Sequence, residues 1–244
     1  LVNLTSIYLG NTQLYGQIPS EIGNLINLSV LHLNENPSLT GEIPPDIGNL
    51  TNLVYLNLND DDLTGEIPSE IGNLTNLTEI FLWGNNLTGN IPSELWNLTK
   101  LKEINFSNNK LTGSIPLEIG NLINLESLSL DNNQLTGQIP QEIGNLTNLH
   151  VLGLSVNQLN GNIPLEIGNL TNLTVLSLGY NQLSGEIPSE IGNLTNLTDY
   201  LSLHFNQLSG EIPPEIGNLT NLREFGLDNN QLCGEITSEI GNLD

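Results

Sequence analysis

The amino-acid sequence predicts an α/β-type solenoid that is mostly β, a right-handed coil in which every turn contributes one short strand. Three observations predict it. The string L-x-G-x-I-P recurs with its leading leucine at Leu14, Leu39, Leu63, Leu87, Leu111, Leu135, Leu159, Leu183, Leu208 and, with Thr237 in place of the proline, Leu232, in steps of 24 residues except for steps of 25 to Leu39 and to Leu208. Each unit carries an L-x-x-L-x-L stretch, for example Leu125, Leu128 and Leu130, whose alternation is that of a half-buried strand. One strand per repeat leaves no hairpin partner, so strands must pair between successive repeats, in parallel and with right-handed connections.

The elements follow in order along the repeat, which reads approximately I-G-N-L-T-N-L-x-x-L-x-L-x-x-N-x-L-T-G-x-I-P-x-E. The leucines of the strand and of the flanking turns fill one interior. An asparagine follows each strand: Asn36, Asn85, Asn109, Asn133, Asn157, Asn181, Asn206 and Asn230. An amide there can donate to the carbonyl of one turn and accept from the N–H of the next, so this column is read as structural. Thr12 and Asp61 break it, and an ionised Asp61 cannot donate. The G-x-I-P segment bends the chain, because proline cannot continue a ladder. Ten repeats of 24–25 residues make a single domain over residues 1–244, with no visible caps.

Composition agrees. Leucine supplies 49 residues and asparagine 39, alanine and methionine are absent, and a helical bundle is therefore excluded. Four lysines and arginines against 27 acids give a net charge of -23, which leaves no basic footprint for nucleic acid. No apolar run is long enough for membrane insertion within this segment.

Ten in-register copies of this repeat resemble the plant-type leucine-rich-repeat family, as found in plant receptor-kinase ectodomains and polygalacturonase-inhibiting proteins. The resemblance implies a parallel sheet on a concave side, a second short strand near L-T-G, and 3₁₀ or irregular turns on a convex side. It also implies a non-catalytic binding module, outside the cell or at its surface, whose concave face meets a protein, peptide or glycan ligand. Family members usually open on a cysteine-bearing cap. Here Leu1-Val2-Asn3-Leu4 enters directly at repeat phase, and Cys233 is similar to the family's last-repeat cysteine. The expectation is a chain with flanking segments, or one that self-associates end to end.

No catalytic constellation can be assembled. The three histidines, His32, His150 and His204, fall in separate repeats, and every glycine is accounted for by the repeat. The chain is read as not an enzyme and as needing no cofactor. Acids are ordered, with an unbroken column after the I-P turn that includes Glu70, Glu94, Glu118 and Glu142. This column is a solvated face or a weak divalent-cation surface, with Ca2+ the candidate ion, and it supports an alternative reading as an extracellular scaffold, adhesin or filament subunit. Threonine columns (Thr40, Thr64, Thr88 in one; Thr147, Thr171, Thr195 in another) give a weaker alternative, ice or polysaccharide binding. Sequons such as Asn76, Asn86, Asn172 and Asn196 follow from the repeat text and mark glycosylation sites if the chain is secreted.

The informative positions are those the repeat leaves free on the outward side of the strands. Bulk gathers there at Tyr8, His32, Tyr55, Phe81 and Trp83, beside Lys102, and again at Tyr180, Tyr200, His204 and Phe205. Exposed aromatics on a rigid sheet anchor partners or sugar rings, so these ten residues are the candidate ligand-binding set. Trp96 replaces the glycine of I-G-N and is expected to protrude from the convex side.

Overall fold

The structure, a computed structural model, describes residues 3–243 and consists of two compact units, residues 1–113 and 114–244. The uncapped opening at Leu1 and Val2, like Asp244, lies outside the described residues.

In the first unit the strands Ser6–Tyr8, Val30–His32, Tyr55–Asn57, Glu79–Phe81 and Glu103–Asn105 pair in parallel, each with the next. The register is set by the repeat: Ile7, Leu31, Leu56, Ile80 and Ile104 are aligned partners. The last four of these are completely buried, and burying such a side chain contributes about 2 kcal/mol. In the second unit Ser127–Ser129, Val151–Gly153, Val175–Ser177, Tyr200–Ser202 and Glu224–Gly226 pair likewise. The second short strands expected near L-T-G are present, as Tyr15–Gln17, Ser38–Glu42 and Asp62–Thr64 in the first unit and five more, beginning with Thr136–Gln138, in the second.

Opposite each sheet the chain forms short 3₁₀ turns, such as Ser69–Asn73 and Ser189–Asn193. Among the described residues, a proline before nine of these turns, and Thr237 before the last, sets an extended entry, and its carbonyl accepts from the residue three positions on, as from Ile71 N–H to Pro68 at 3.0 Å. No helix among the described residues is long and apolar enough to cross a membrane.

The asparagine column holds successive turns together. Asn181 Nδ2 donates to the carbonyls of Leu154 (3.0 Å) and Leu178 (3.1 Å), and its Oδ1 accepts from Leu159 N–H at 3.0 Å. Asn85 does the same with Leu58, Leu82 and Leu63. Each of these amides therefore joins its own turn, through the carbonyl three residues back, to the preceding turn, through one carbonyl and one N–H. The reason is geometric: the bend after a strand brings a free carbonyl and a free N–H of the same neighbouring turn to one place.

A second amide ladder was not anticipated. On the turn side, Asn52, Asn76, Asn172 and Asn196 donate to the carbonyls of Ile26, Thr51, Thr147 and Thr171 at 2.8–2.9 Å. This explains why the repeat carries T-N-L so regularly, and three of these residues are the sequon asparagines Asn76, Asn172 and Asn196.

Trp96 corrects an expectation. It is 1% exposed and so does not protrude. The glycine that normally fills its position shows why: a Cβ built on Gly48 or Gly72 points at the adjoining turn, 2.6 Å from the Cβ of Glu70 and 2.4 Å from that of Glu94. A side chain here is directed between stacked turns, and a large apolar one becomes core.

Candidate functional site

On the sheet face of the first unit the aromatic residues form one connected row. Tyr8 and His32 occupy matched strand positions, with ring centroids 5.7 Å apart. His32 and Tyr55 are at 5.0 Å, and Tyr55 and Phe81 at 5.5 Å. Tyr55 also fixes the row by hydrogen bonding: its hydroxyl lies 3.1 Å from His32 Nε2, and Asn57 Nδ2 lies 3.3 Å from the same nitrogen. Two potential donors on Nε2 place the imidazole proton on Nδ1. Burial pushes the Tyr55 phenol up; the Asn57 hydrogen bond opposes this and the charges of Glu79 and Glu103 add to it, so Tyr55 stays a neutral donor. Tyr8 is 67% exposed at one end of the row. Trp83 is half-buried two residues beyond Phe81, and Lys102 is exposed beside Glu103 in the next strand.

The sheet face of the second unit is built differently. Ser177 and Ser202 are matched strand residues, and with Ser155 they form a floor of buried hydroxyls. Ser155 Oγ and Ser177 Oγ are hydrogen-bonded, and Ser202 Oγ lies 3.0 Å from His204 Nδ1. Tyr180 and Phe205 stand above, stacked at 4.3 Å and 9° from parallel. The His204 ring meets Tyr180 edge-on at 5.0 Å. Ser155, Ser177, Tyr180, Ser202 and His204, with Tyr200 and Glu224, line an open cleft of about 460 Å³, and Phe205 stacks on Tyr180 outside this lining.

The aromatic wall of this cleft comes from an unusual place. The residue just before the asparagine column has positive φ in every repeat, because the bend after the strand demands it. Asn11, Glu35, Asp60, Gly84 and Asn108 fill this position in the first unit, and Asn132, Val156, Tyr180, Phe205 and Asn229 in the second. Glycine and asparagine enter this region at little cost; bulky residues do so at about 1 kcal/mol or more. Backbone hydrogen bonds hold the conformation: Tyr180 N–H donates to His204 O at 2.9 Å, and Asn181 N–H donates to Phe205 O at 3.1 Å. Val156, Tyr180 and Phe205 are 43, 47 and 40% exposed, so core packing does not compensate the strain.

The ten residues picked from the sequence thus fall into two groups, one per unit. Ser155, Ser177, Ser202, Val156 and Glu224 were missed. The signal that could have found Val156 is the absence of asparagine or glycine one residue ahead of the asparagine column in three consecutive repeats.

The break in that column is itself unusual. Asp61 is buried, its Oδ1 accepts from Asn36 N–H at 2.7 Å, and its Oδ2 is buried with no partner. Burial raises its pKa to about 7; the Asn36 hydrogen bond opposes the rise and the Asp60 charge adds to it.

The acidic column lies in the first turns of the 3₁₀ segments, with Glu70 and Glu94 in the first unit and Glu118 in the second exposed and Glu142 half-buried. Ser69 and Ser93 hydroxyls donate to Glu70 and Glu94. Among the described residues no three His, Cys, Asp or Glu side chains gather closely enough to hold a metal ion.

Parallel one-strand turns, 3₁₀ returns and an amide ladder define a repeat solenoid with an exposed, variable sheet face. The chain matches the family model described as "Leucine-rich repeat region" over residues 1–115 and 110–243, and it belongs to that family. Among solved structures it is similar to the leucine-rich-repeat ectodomain of the Arabidopsis receptor kinase HAESA in complex with a peptide hormone ligand, with 39% identity and a TM-score of 0.94, over 100% of this chain and 40% of that one. It is also similar to a TDR receptor, with 33% identity and a TM-score of 0.85 over 99% of this chain and 46% of that one. A plant ice-binding protein shows 33% identity and a TM-score of 0.83, over 95% of this chain and 74% of that one. The chain therefore spans less than half the length of these two receptor structures. No curated protein matches it by sequence.

Proposed function

We propose that this chain is a non-catalytic recognition module that acts outside the cell or at its surface and binds a peptide or protein on its sheet face. The observation that carries this is the row Tyr8–His32–Tyr55–Phe81, four ring-bearing side chains in contact at strand positions where the repeat requires none. Large rigid rings that lose little entropy on contact are typical binding anchors. The peptide-bound HAESA ectodomain supports a peptide as the ligand class. The test is a displayed random-peptide library panned on the full chain. Enriched peptides should bind the Phe81→Ala, Trp83→Ala double variant about 30-fold more weakly, equivalent to about 2 kcal/mol, with an unchanged melting temperature. An absence of enriched peptides, or equal binding by the variant, overturns the proposal.

A second reading has one observation in its favour. Thr147, Thr171 and Thr195 line a shallow turn-side groove with Asn145, Asn169 and Asn193, a regular polar array, and an ice-binding protein is among the similar structures. Thermal hysteresis of the purified chain, abolished by Thr171→Val with Thr195→Val, would favour ice over a peptide.

A further inference from the structure

We propose that the cleft of the second unit is a specificity pocket for a positively charged side chain, lysine or arginine, of a peptide ligand. Four observations on the cleft point the same way. Its wall includes Tyr180, backed by the stacked ring of Phe205, both presented from positive-φ positions where a small polar residue would be less strained. Strain retained at exposed aromatic residues is explained by a role for the rings in contact with something else. Aromatic faces attract cations through their quadrupole, most strongly in a partly desolvated setting.

The floor contributes hydroxyl oxygens. Ser155, Ser177 and Ser202 are each at most 9% exposed and line the cleft. Each hydroxyl keeps acceptor capacity beyond its existing bond, so the floor can accept from N–H donors. The only ionisable group of fixed acidic character on the cleft lining is Glu224, and no lysine or arginine lines it among the described residues. Arg223, next in sequence, lies 3.9 Å from Asp199.

Charge complementarity selects the occupant. A chain of net charge -23 with four cationic side chains attracts basic partners and repels acidic ones over a Debye length. A neutral pyranose can also stack on the rings and donate hydroxyls to Glu224, but it gains no charge attraction from the carboxylate or from the net negative field. A cation gains from the rings, the carboxylate and the field together.

This proposal rests on the peptide-recognition reading for the nature of the ligand, but on different residues from the first-unit row. The experiment therefore uses small probes and both sets of variants. Acetyl-Gly-Arg-Gly-amide, its citrulline counterpart and methyl β-glucoside are titrated into the full-length chain, with aromatic ring resonances followed by NMR. The arginine probe should shift the Tyr180 and His204 resonances saturably, and the citrulline probe, the neutral isostere, should bind about tenfold more weakly. Glu224→Gln should weaken the arginine probe about fivefold with no change in melting temperature, whereas Phe81→Ala should leave it unaltered. Tyr180→Asn, which keeps the backbone conformation comfortable, should abolish saturation. Equal binding of the arginine and citrulline probes, preference for the glucoside, insensitivity to Glu224→Gln, or no shift with any probe overturns the pocket. Retained library binding at Phe81 and Trp83 in that case would leave the recognition module standing without it.

Discussion

The two units solve the same bend in two ways. In the first, the positive-φ position after each strand carries Asn11, Glu35, Asp60, Gly84 and Asn108, none of them β-branched or aromatic. In the second it carries Val156, Tyr180 and Phe205 in succession. The first unit takes its exposed aromatics from strand positions, where a ring is compatible with the backbone. The second takes Tyr200 from a strand position too, but Tyr180 and Phe205 from positions where the backbone resists. The amide ladder shows the reverse contrast, broken by Thr12 and Asp61 in the first unit and carried by an asparagine in every repeat of the second. Each unit thus departs from the ideal repeat at a different point, and the comparison separates what the fold requires from what it tolerates.

The largest effect should come from removing a rung of the intact ladder. Asn181→Ala leaves the carbonyls of Leu154 and Leu178 and the N–H of Leu159 without this amide. Losing several partly buried hydrogen bonds at once should cost about 3 kcal/mol, read as a lowered urea midpoint. The same change at the defective rung, Asp61→Ala, should cost far less, because Asp61 already leaves Oδ2 unpartnered. Equal losses at the two sites would show that the ladder is not what distinguishes the units.

Next in size is repair of that rung. Asp61 has its folded pKa raised to about 7, chiefly by burial. An ordinary carboxylate titrates near 4 in the unfolded chain. The folded state thus holds the proton more tightly. The stability this group contributes is fully present below about pH 4, declines as pH rises through about 7, and is constant above. Asp61→Asn does not titrate and regains an N–H donor. It should exceed the parent by about 2 kcal/mol at pH 8 and match it closely near pH 4. A difference between parent and variant that does not grow over that range would refute the assignment.

How much of this was legible in the sequence depends on which residues carry it. The strand leucines, the turn prolines and the asparagine column announce themselves by period, and the parallel sheets follow from them; the 3₁₀ turns and the second short strands were implied by the family resemblance alone. The aromatic residues of both sites were also visible, as departures from the repeat. What could not be read was direction. Trp96 occupies a glycine position, and only the Cβ vector between stacked turns shows that the side chain goes inward. The serine floor was hidden for a related reason. Ser155, Ser177 and Ser202 are unremarkable in text, and they acquire meaning only because the fold brings them to one cleft with Tyr180.

The smallest expected effect is the sharpest test of the contrast between the bends, because its sign is at stake. Val156 has φ 55° and is 43% exposed, and a β-branched residue in this region is a genuine outlier. Asn132 holds the same position one repeat earlier with φ 52°. Val156→Asn should relieve strain and raise stability by about 1 kcal/mol, although it deletes an apolar side chain. Asn132→Val should lower stability by a similar amount. Backbone hydrogen bonds on either side, Val156 N–H to Gly179 O at 3.0 Å and Asn132 N–H to Ser155 O at 2.9 Å, hold both bends in the same conformation, so the side chain is the only variable. The pair is measured by urea unfolding of both variants and the parent under one condition. Opposite signs would establish that the second unit keeps exposed bulk at these bends against its own stability. If both substitutions destabilise, Val156 is there to pack, and the strained stripe is part of the fold and no longer evidence for a binding surface.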